Sequence, residues 1–175
     1  MKDLSIKMAG FGGQGILYIG KVITYAGFAD NKEVSFISSY GAEMRGGSVD
    51  CTVCVSEKPV CSPVTNAPDV LVVMNQASFN KFADTVAPGG TLIVDDTLVE
   101  VNTDRTDITI CKIPSTALAD EHKMSANVIM LGYILKVTGV FDLAAIEKGL
   151  VKSTSARNQS RIPKNMEAIK IGYEF

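Results

Sequence analysis

The hydrophobic pattern of the chain alternates between short apolar runs and longer helical patterns. A strand, a glycine cluster and a nearly all-apolar helical stretch come first, and two β-rich runs on either side of a glycine-containing loop follow. Three later apolar runs are bounded by proline and glycine turns, which is typical of buried strands. The predicted strands are residues 4–11, 33–38, 48–56, 69–74, 91–96 and 107–114.

Helical patterns join several of these strands and dominate the last third of the chain. The predicted helices are residues 14–29, 75–86, 125–137, 142–151 and 158–172. Strands that alternate with helices favour a parallel sheet whose connections cover its faces. We therefore predict an α/β fold, a single Rossmann-like domain over residues 1–175, with a mostly parallel sheet and helices on both faces.

Composition narrows the class of protein. A length of 175 residues corresponds to one domain, and 46% hydrophobic with 21% charged residues is ordinary globular usage. The 17 basic and 19 acidic residues form no dense basic stripe, so nucleic-acid binding is not expected. Lys7 interrupts the first apolar stretch, and the run Val128–Phe141 contains Lys136 and is too short for a bilayer. We expect a soluble, cytoplasmic protein that binds no membrane.

The four cysteines include a CxxC pair, Cys51 and Cys54, inside a predicted strand. Residues three apart on a strand point to opposite faces, so the two sulfurs diverge and a shared metal is difficult. A full ligand set would need Cys61 and Cys111 from distant parts of the chain. We expect reduced, buried thiols and no metal site.

The sequence GFGGQG at 10–15 lies where a dinucleotide-binding loop would lie, between the first strand and a buried helix. Its glycines permit a tight turn and let backbone N–H groups approach an anion at the helix N-terminus. The NAD pattern also needs an acidic residue at the end of the second strand, where this chain has Ser38, Ser39 and Tyr40. Three interpretations stay open: a nicotinamide or flavin dinucleotide, another anion, or a tight turn that lets a partner's backbone come close.

A second loop, SYGAEMRGG at 39–47, leaves the second strand. If both strands are parallel, it shares the carboxyl edge of the sheet with the first loop, where ligands of open α/β sheets bind. Arg45 could hold a carboxylate or phosphate, and Glu43 could orient it. The alternative is an exposed turn with a weak local ion pair.

Four other polar features are more ambiguous. Asn75 and Asn127 each precede a helical pattern and could be N-caps as readily as ligand contacts. His122 lies in a polar run with no nucleophile beside it, so we expect it to be solvated. The neighbours Asp95 and Asp96 point apart on a strand, which disfavours a general acid–base pair.

Several motifs in this order resemble the γ subunit of 2-oxoacid:ferredoxin oxidoreductases, most of all the 2-oxoglutarate and branched-chain types. They cover most of the chain, and SYGxEMRGG after GxGGQG is the most specific combination. The motifs are GFGGQG at 10–15, SYGAEMRGG at 39–47, SP at 62–63, PDVLVVMNQ at 68–76 and ANVIMLG at 126–132.

The resemblance implies a subunit of an enzyme that is inactive alone. The family's complete enzymes convert a 2-oxoacid and coenzyme A to acyl-CoA and CO2 on thiamine diphosphate with Mg2+, and pass electrons through iron–sulfur clusters to ferredoxin. This chain has no GDG motif for thiamine diphosphate and no CxxCxxC run for a cluster. By this resemblance it binds no cofactor alone and packs against α and β, and in some enzymes δ, subunits on the coenzyme A side.

The resemblance also places contact roles, none of them catalytic, on two loops and two asparagines. One departure is Asp95 and Asp96, where many family members carry an asparagine and a serine. The predicted contact residues are Gly10, Gly12, Gly13, Gln14, Gly15, Ser39, Tyr40, Glu43, Arg45, Gly46, Gly47, Asn75 and Asn127.

Two competing functions remain beside this one. The first is a stand-alone NAD(P)-dependent Rossmann oxidoreductase that uses GFGGQG in the ordinary way. The second is a non-catalytic nucleotide-sensing or scaffold domain. The sequence does not define the 2-oxoacid, the subunit stoichiometry, the direction of the reaction, or whether the glycine loop meets a ligand or only a partner.

Overall fold

A computed structural model describes residues 3–40, 47–58 and 65–175, with only the backbone of Tyr40 described. Six strands form one sheet in the order β2-β3-β1-β4-β5-β6. Their bounds are β1 Leu4–Phe11, β2 Glu33–Tyr40, β3 Ser48–Ser56, β4 Val70–Val73, β5 Thr91–Asp95 and β6 Thr109–Ile113.

Six α-helices accompany the sheet in the described ranges. Two short 3-10 turns, Ala83–Thr85 and Ala156–Arg161, follow the second helix and precede the last. The bounds are α1 Ile16–Ala29, α2 Gln76–Phe82, α3 Ser115–His122, α4 Ala126–Thr138, α5 Leu143–Ser153 and α6 Ile162–Glu174.

Strand direction follows from the pairings. β1, β4, β5 and β6 pair in parallel, whereas β3 is antiparallel to both of its neighbours, β1 and β2. β2 therefore runs in the same direction as β1, one strand position further away. The prediction of a mostly parallel α/β sheet is confirmed, and β3 is the single reversed strand.

Helices cover the two faces unequally. One face carries the larger core, in which Ile6, Met8 and Val72 pack against α1, α4, α5 and α6. On the other face, Leu71 and Val73 of β4 pack against Phe79 of α2. The alternation of side chains along β4 explains this division, because neighbouring residues point to opposite faces. Helices on both faces were predicted, and this is confirmed.

Glycines set the distance between α4 and α6. A Cβ on Gly132 would lie 1.9 Å from the Ile169 carbonyl oxygen, and one on Gly172 would lie 1.9 Å from that of Ile129. The two helices therefore touch backbone to backbone. This contact brings the start of α6 close to the start of α4, beside the carboxyl edge of the sheet.

Three helix predictions need correction. α3 was not predicted, because its sequence STALADEH is polar on most sides and contains no clear apolar stripe. The pattern predicted as one helix over 75–86 is a short α2 followed by a 3-10 turn. The closing helix α6 begins at Ile162, after the second turn, rather than at 158. No helix in the described ranges combines the length and apolarity needed to span a membrane.

Candidate functional site

The two predicted loops meet at the carboxyl edge of the sheet. Tyr40 at the end of β2 is paired with Val49, and Gly10 at the end of β1 is paired with the same residue. The Gly12 N–H donates to the Gly47 carbonyl oxygen at 3.1 Å. The expectation that both loops share one edge is therefore confirmed for the described residues. Glu43, Arg45 and Gly46 lie outside the described residues, and Ser39 is exposed.

The glycines of the first loop serve different purposes. Gly13 has φ +101° and open space around a hypothetical Cβ, so it needs glycine for its backbone angle and is free on its outer side. A Cβ on Gly15, which has φ +76°, would lie 2.2 Å from Asn127 Nδ2. A Cβ on the buried Gly10 would lie 2.7 Å from Gln14 Oε1. Gly10 and Gly15 therefore make room for side chains of this chain.

Gln14 lies in the crevice between the ends of β1 and β4. Its Oε1 accepts from the Phe11 N–H at 2.7 Å and from Asn75 Nδ2 at 3.0 Å, and its Nε2 donates to the Met74 carbonyl at 2.8 Å. In dinucleotide-binding folds, this crevice receives the pyrophosphate. Here the Gln14 side-chain amide occupies the crevice. The backbone N–H groups of Gly13 and Gly15 make no hydrogen bond with the described residues.

The two asparagines behave differently from each other. Asn75 is buried and is the N-cap of α2, since its Oδ1 accepts from the Ser78 N–H at 2.8 Å. Asn127 is not an N-cap: Ser125 holds that position on α4, and Asn127 lies two residues further on. Its Nδ2 instead donates to the Gly15 carbonyl at 3.2 Å, which joins α4 to the glycine loop.

A cleft of about 370 Å³ opens beside the free side of Gly13, and we call it the glycine cleft. It lies where the chain leaves β1, β4 and β5 and where α3 and α4 begin. Leu98 on its rim is 44% exposed, and Phe11 at the end of β1 is 40% exposed. The lining residues are Gly13, Gln14, Met74, Leu98, Thr116, Ser125, Ala126 and Asn127.

A second cleft of about 400 Å³, the basic cleft, shares Ser125 and Asn127 with the first. Polar side chains form most of its wall, and Tyr18 is bonded there to Thr154 and Asn165 at 3.3 and 3.2 Å. The lining residues are Tyr18, Ser125, Asn127, Val128, Ser153, Thr154, Ser155, Asn158, Arg161 and Asn165.

The basic cleft extends towards further cations. An adjoining hollow of about 220 Å³ shares Arg161 and Asn165 with it and adds Lys123 and Lys164. Arg161, Lys164 and Lys123 are all exposed, and none of the described acidic side chains lines either hollow. Guanidinium and ammonium groups beside neutral hydrogen-bonding side chains favour a phosphate-bearing ligand.

The sequence interpretation missed this basic cleft. Residues 147–175 hold six basic and three acidic side chains, and this excess was the available signal. By itself, such an excess is typical of an ordinary solvated surface. Only the packing of α6 on α4 reveals that Arg161 and Asn127 line the same cleft.

The remaining candidates are structural. Asp95 is fully buried and accepts from Ser115 Oγ at 2.8 Å and from the Thr116 N–H at 3.2 Å, whereas Asp96 is exposed. The two carboxylates do not act as a pair, as expected. His122 is exposed at the end of α3.

The CxxC sulfurs lie on opposite faces of the sheet. Cys51 faces α1, where its thiol donates to the Ile16 carbonyl, while Cys54 is on the other face near Ser35. Burial, and then the negative charge of Asp50, raise the pKa of the Cys51 thiol to about 12. Burial also raises the pKa of Cys54. Within the described ranges, no group of three or more potential ligands could hold a metal ion.

The topology explains why the NAD(P) alternative is not favoured. In a dinucleotide-binding fold, the strand next to β1 ends in the acid that holds the ribose. Here the neighbour of β1 on that side is the reversed strand β3, and β2 is one position, or about 4.8 Å, further away. Neither the position nor the residue type suits the ribose contact.

Comparison with known proteins identifies the family. The model of the family described as pyruvate ferredoxin/flavodoxin oxidoreductase matches residues 5–175. The chain is 36% identical to the 2-oxoglutarate synthase subunit KorC of Methanocaldococcus jannaschii, over 97% of this chain and 91% of the relative. It is 34% identical to the ketoisovalerate oxidoreductase subunit VorA of Methanothermobacter thermautotrophicus, over 99% of this chain and 36% of that longer relative.

Solved structures agree with this result. The γ subunit of a keto/oxoacid ferredoxin oxidoreductase from Geobacter sulfurreducens superposes with a TM-score of 0.82 at 25% identity, covering 98% of this chain and 96% of that chain. The fold also matches 31% of a chain of the 2-oxoglutarate:ferredoxin oxidoreductase from Magnetococcus marinus, with a TM-score of 0.88 at 24% identity and 99% of this chain covered. The resemblance drawn from the motifs is confirmed, and this chain belongs to the pyruvate ferredoxin/flavodoxin oxidoreductase family.

Proposed function

We propose that this chain is the γ subunit of a 2-oxoacid:ferredoxin oxidoreductase and supplies part of the coenzyme A side of the active centre. In the overall reaction, a 2-oxoacid, coenzyme A and two oxidised ferredoxins give acyl-CoA, CO2, a proton and two reduced ferredoxins. The carbon–carbon bond to the carboxylate breaks, a carbon–sulfur bond forms, and the two released electrons leave on ferredoxin.

The observation that carries this proposal is the pair of neighbouring clefts, the glycine cleft and the basic cleft, which share Ser125 and Asn127. Coenzyme A carries a pyrophosphate and a phosphate monoester, and the basic cleft offers Arg161 with Lys164 beside it. Asn127 lines both clefts, so the basic cleft lies next to the glycine cleft, which Gly13 lines. The proposal places the bond-making steps in the partner subunits, as the resemblance implies.

The predicted contact residues divide naturally under this proposal. Gly13, Gln14 and Asn127 line the glycine cleft, and Gly13, with its free outer side, is the best placed to face a ligand. Gly10 and Gly15 act by making room for Gln14 and Asn127. Arg45 and Glu43 stay predictions from the sequence, on a loop that leaves the same edge. Partner α and β subunits would hold the thiamine diphosphate, Mg2+ and iron–sulfur clusters.

Purification from the native host tests the assembly. We expect larger chains to copurify with this one, together with a brown iron–sulfur absorbance. The preparation should reduce a viologen dye only when both a 2-oxoacid and coenzyme A are present. A panel of 2-oxoglutarate, 2-oxoisovalerate and pyruvate then identifies the substrate. A colourless monomer with no partner would contradict the proposal.

Charge removal in the basic cleft tests the coenzyme A role. In the assembled complex, Arg161→Gln should raise the KM for coenzyme A about tenfold while kcat changes little, because a phosphate contact contributes on the order of 1.4 kcal/mol. Lys170→Gln is the matched control, since Lys170 is exposed on α6 and lines neither cleft. Arg45→Ala applies the same test to the second loop. Equal KM values for all of these variants would exclude the assignment.

A further inference from the structure

The side chain of Gln14 connects three separate parts of the chain at the carboxyl edge. Through Phe11 it holds the glycine loop, and through the Met74 carbonyl it holds the end of β4. Through Asn75 Nδ2 it reaches the N-cap of α2. We call this arrangement of Gln14 and Asn75 the amide latch.

The latch is nearly saturated with hydrogen bonds. Gln14 has two amide N–H donors and a carbonyl oxygen that can accept two bonds, and three of these four positions are used at 2.7, 2.8 and 3.0 Å. Asn75 is 4% exposed and also caps α2 through Ser78. Side chains that are bonded in this way have fixed orientations, because each alternative rotamer leaves a polar group without its partner.

The first glycine of the loop is part of the same device. A Cβ at position 10 would lie 2.7 Å from Gln14 Oε1 and 2.9 Å from two carbons of Ile16. Gly10 therefore allows the amide to enter the crevice between β1 and β4. The space that glycine leaves for a pyrophosphate in a dinucleotide-binding fold is occupied here by protein.

We propose that Gln14 is a positioning residue: its amide fixes the glycine loop against β4, so that the Gly13 backbone faces the glycine cleft in a single conformation. This proposal deepens the proposed function, on which it rests for the identity of the ligand, coenzyme A. The segment Gly12–Gly13 has high backbone entropy without the latch. A loop that is ordered before binding costs less to immobilise when the ligand arrives, which lowers KM.

The first experiment is Gln14→Met in the assembled complex. Methionine fills a similar volume and removes all three hydrogen bonds. We expect the KM for coenzyme A to rise about tenfold and kcat to stay within about twofold, which indicates lost positioning rather than lost chemistry. The KM for the 2-oxoacid should not change.

Gln76→Met is the matched control. The Gln76 amide also makes three hydrogen bonds, to Asn80 Oδ1, the Glu100 carbonyl and the Glu100 N–H, and it lines neither cleft. We expect its KM for coenzyme A to stay within about twofold of the wild type, since losing surface amide contacts has small effects. Equal KM increases in both variants would reduce Gln14 to a general structural role and overturn the proposal.

Hydrogen exchange tests the latch without any activity. In the isolated chain, the Phe11 amide should exchange about tenfold faster in Gln14→Met, because its acceptor is gone. If Gln14→Met does not assemble, Gln14→Asn keeps an uncharged amide but is one methylene shorter and cannot reach all three partners, so a smaller KM increase is expected. An unchanged KM in the variant that assembles, or an unchanged Phe11 exchange rate, overturns the proposal. A wild-type complex that turns over without coenzyme A instead rejects the proposed function.

Discussion

Gly15 shows how one residue can link a local turn to a tertiary contact. Its φ of +76° is costly for any other residue, and the Asn127 amide occupies the place of its Cβ. Gly15→Ala should lower the free energy of unfolding by about 2 to 4 kcal/mol, measured by urea denaturation. Gly139→Ala, at φ +59° with open space, should cost only the backbone strain of about 1 kcal/mol. Equal losses of unfolding free energy in the two variants would show that the Asn127 side chain can move aside at no cost.

Cys51 couples stability to alkaline pH. Burial and the charge of Asp50 raise the pKa of this thiol from 9.0 to about 12, so the thiol ionises at a lower pH in the unfolded chain than in the folded one. Its stabilisation is therefore complete below pH 9 and is lost as pH rises from 9 towards 12. Urea denaturation at pH 8, 9 and 10 should show little extra loss of stability in wild type between pH 8 and 9, and about 1 kcal/mol more loss than in Cys51→Ala between pH 9 and 10. Parallel pH profiles would contradict this.

At the scale of elements, Asp95 substitutes for a missing helix cap. α3 follows Pro114 and has no side-chain cap of its own, while the buried Asp95 carboxylate at the end of β5 accepts from Thr116 and Ser115. Asp95→Asn places an amide donor among these donors, and should cost about 2 to 3 kcal/mol of unfolding free energy. Asp96→Asn, on the exposed neighbour, should stay within about 0.5 kcal/mol. Similar losses of unfolding free energy in the two variants would show that Asp95 does not stabilise the start of α3.

The α4–α6 crossing gives a second prediction for elements. A Cβ added at Gly132 or Gly172 would lie 1.9 Å from a backbone carbonyl oxygen of the other helix. An alanine at either position must therefore push the two helices apart. Gly132→Ala should lower the unfolding free energy by about 3 kcal/mol in thermal or urea denaturation. Lys136→Ala on the exposed side of α4 is the control, with an expected change within about 0.5 kcal/mol. An unchanged unfolding free energy in Gly132→Ala would mean that α4 and α6 pack less closely than described.

At the scale of the whole molecule, charge is distributed unevenly about a net value of −2. Arg161, Lys164 and Lys123 surround the hollow next to the basic cleft. Attraction between this region and the phosphates of coenzyme A should weaken with salt. The KM for coenzyme A of the assembled complex should therefore rise between about 0.05 and 0.5 M NaCl, more steeply in wild type than in Arg161→Gln. An identical salt dependence of this KM in wild type and Arg161→Gln would show that the phosphates of coenzyme A do not bind near Arg161.

Local signals in the chain predicted much of the fold. Buried strands such as β4 and β5 are continuous apolar runs between prolines, glycines and polar residues, so their existence does not depend on distant contacts. The polar helix α3 was missed because a distant carboxylate, Asp95, supports its first turn. The Asn127 N-cap prediction failed because Ser125 and Asn127 are both suitable by local preference alone.

The sequence by itself determined the alternation of strands and helices, the family and the positions of the two glycine-containing loops, because these depend on local periodicity and on ordered motifs. Only the tertiary structure decided that β3 is reversed between β1 and β2, that Gln14 fills the crevice between β1 and β4, and that Arg161 and Asn127 line one cleft. The side-chain contacts join residues 61 positions apart, Gln14 and Asn75, and 147 positions apart, Tyr18 and Asn165, and the pairing of β1 with β3 skips the whole of α1 and β2. Such contacts are chosen by packing of the whole core, and no local pattern encodes them.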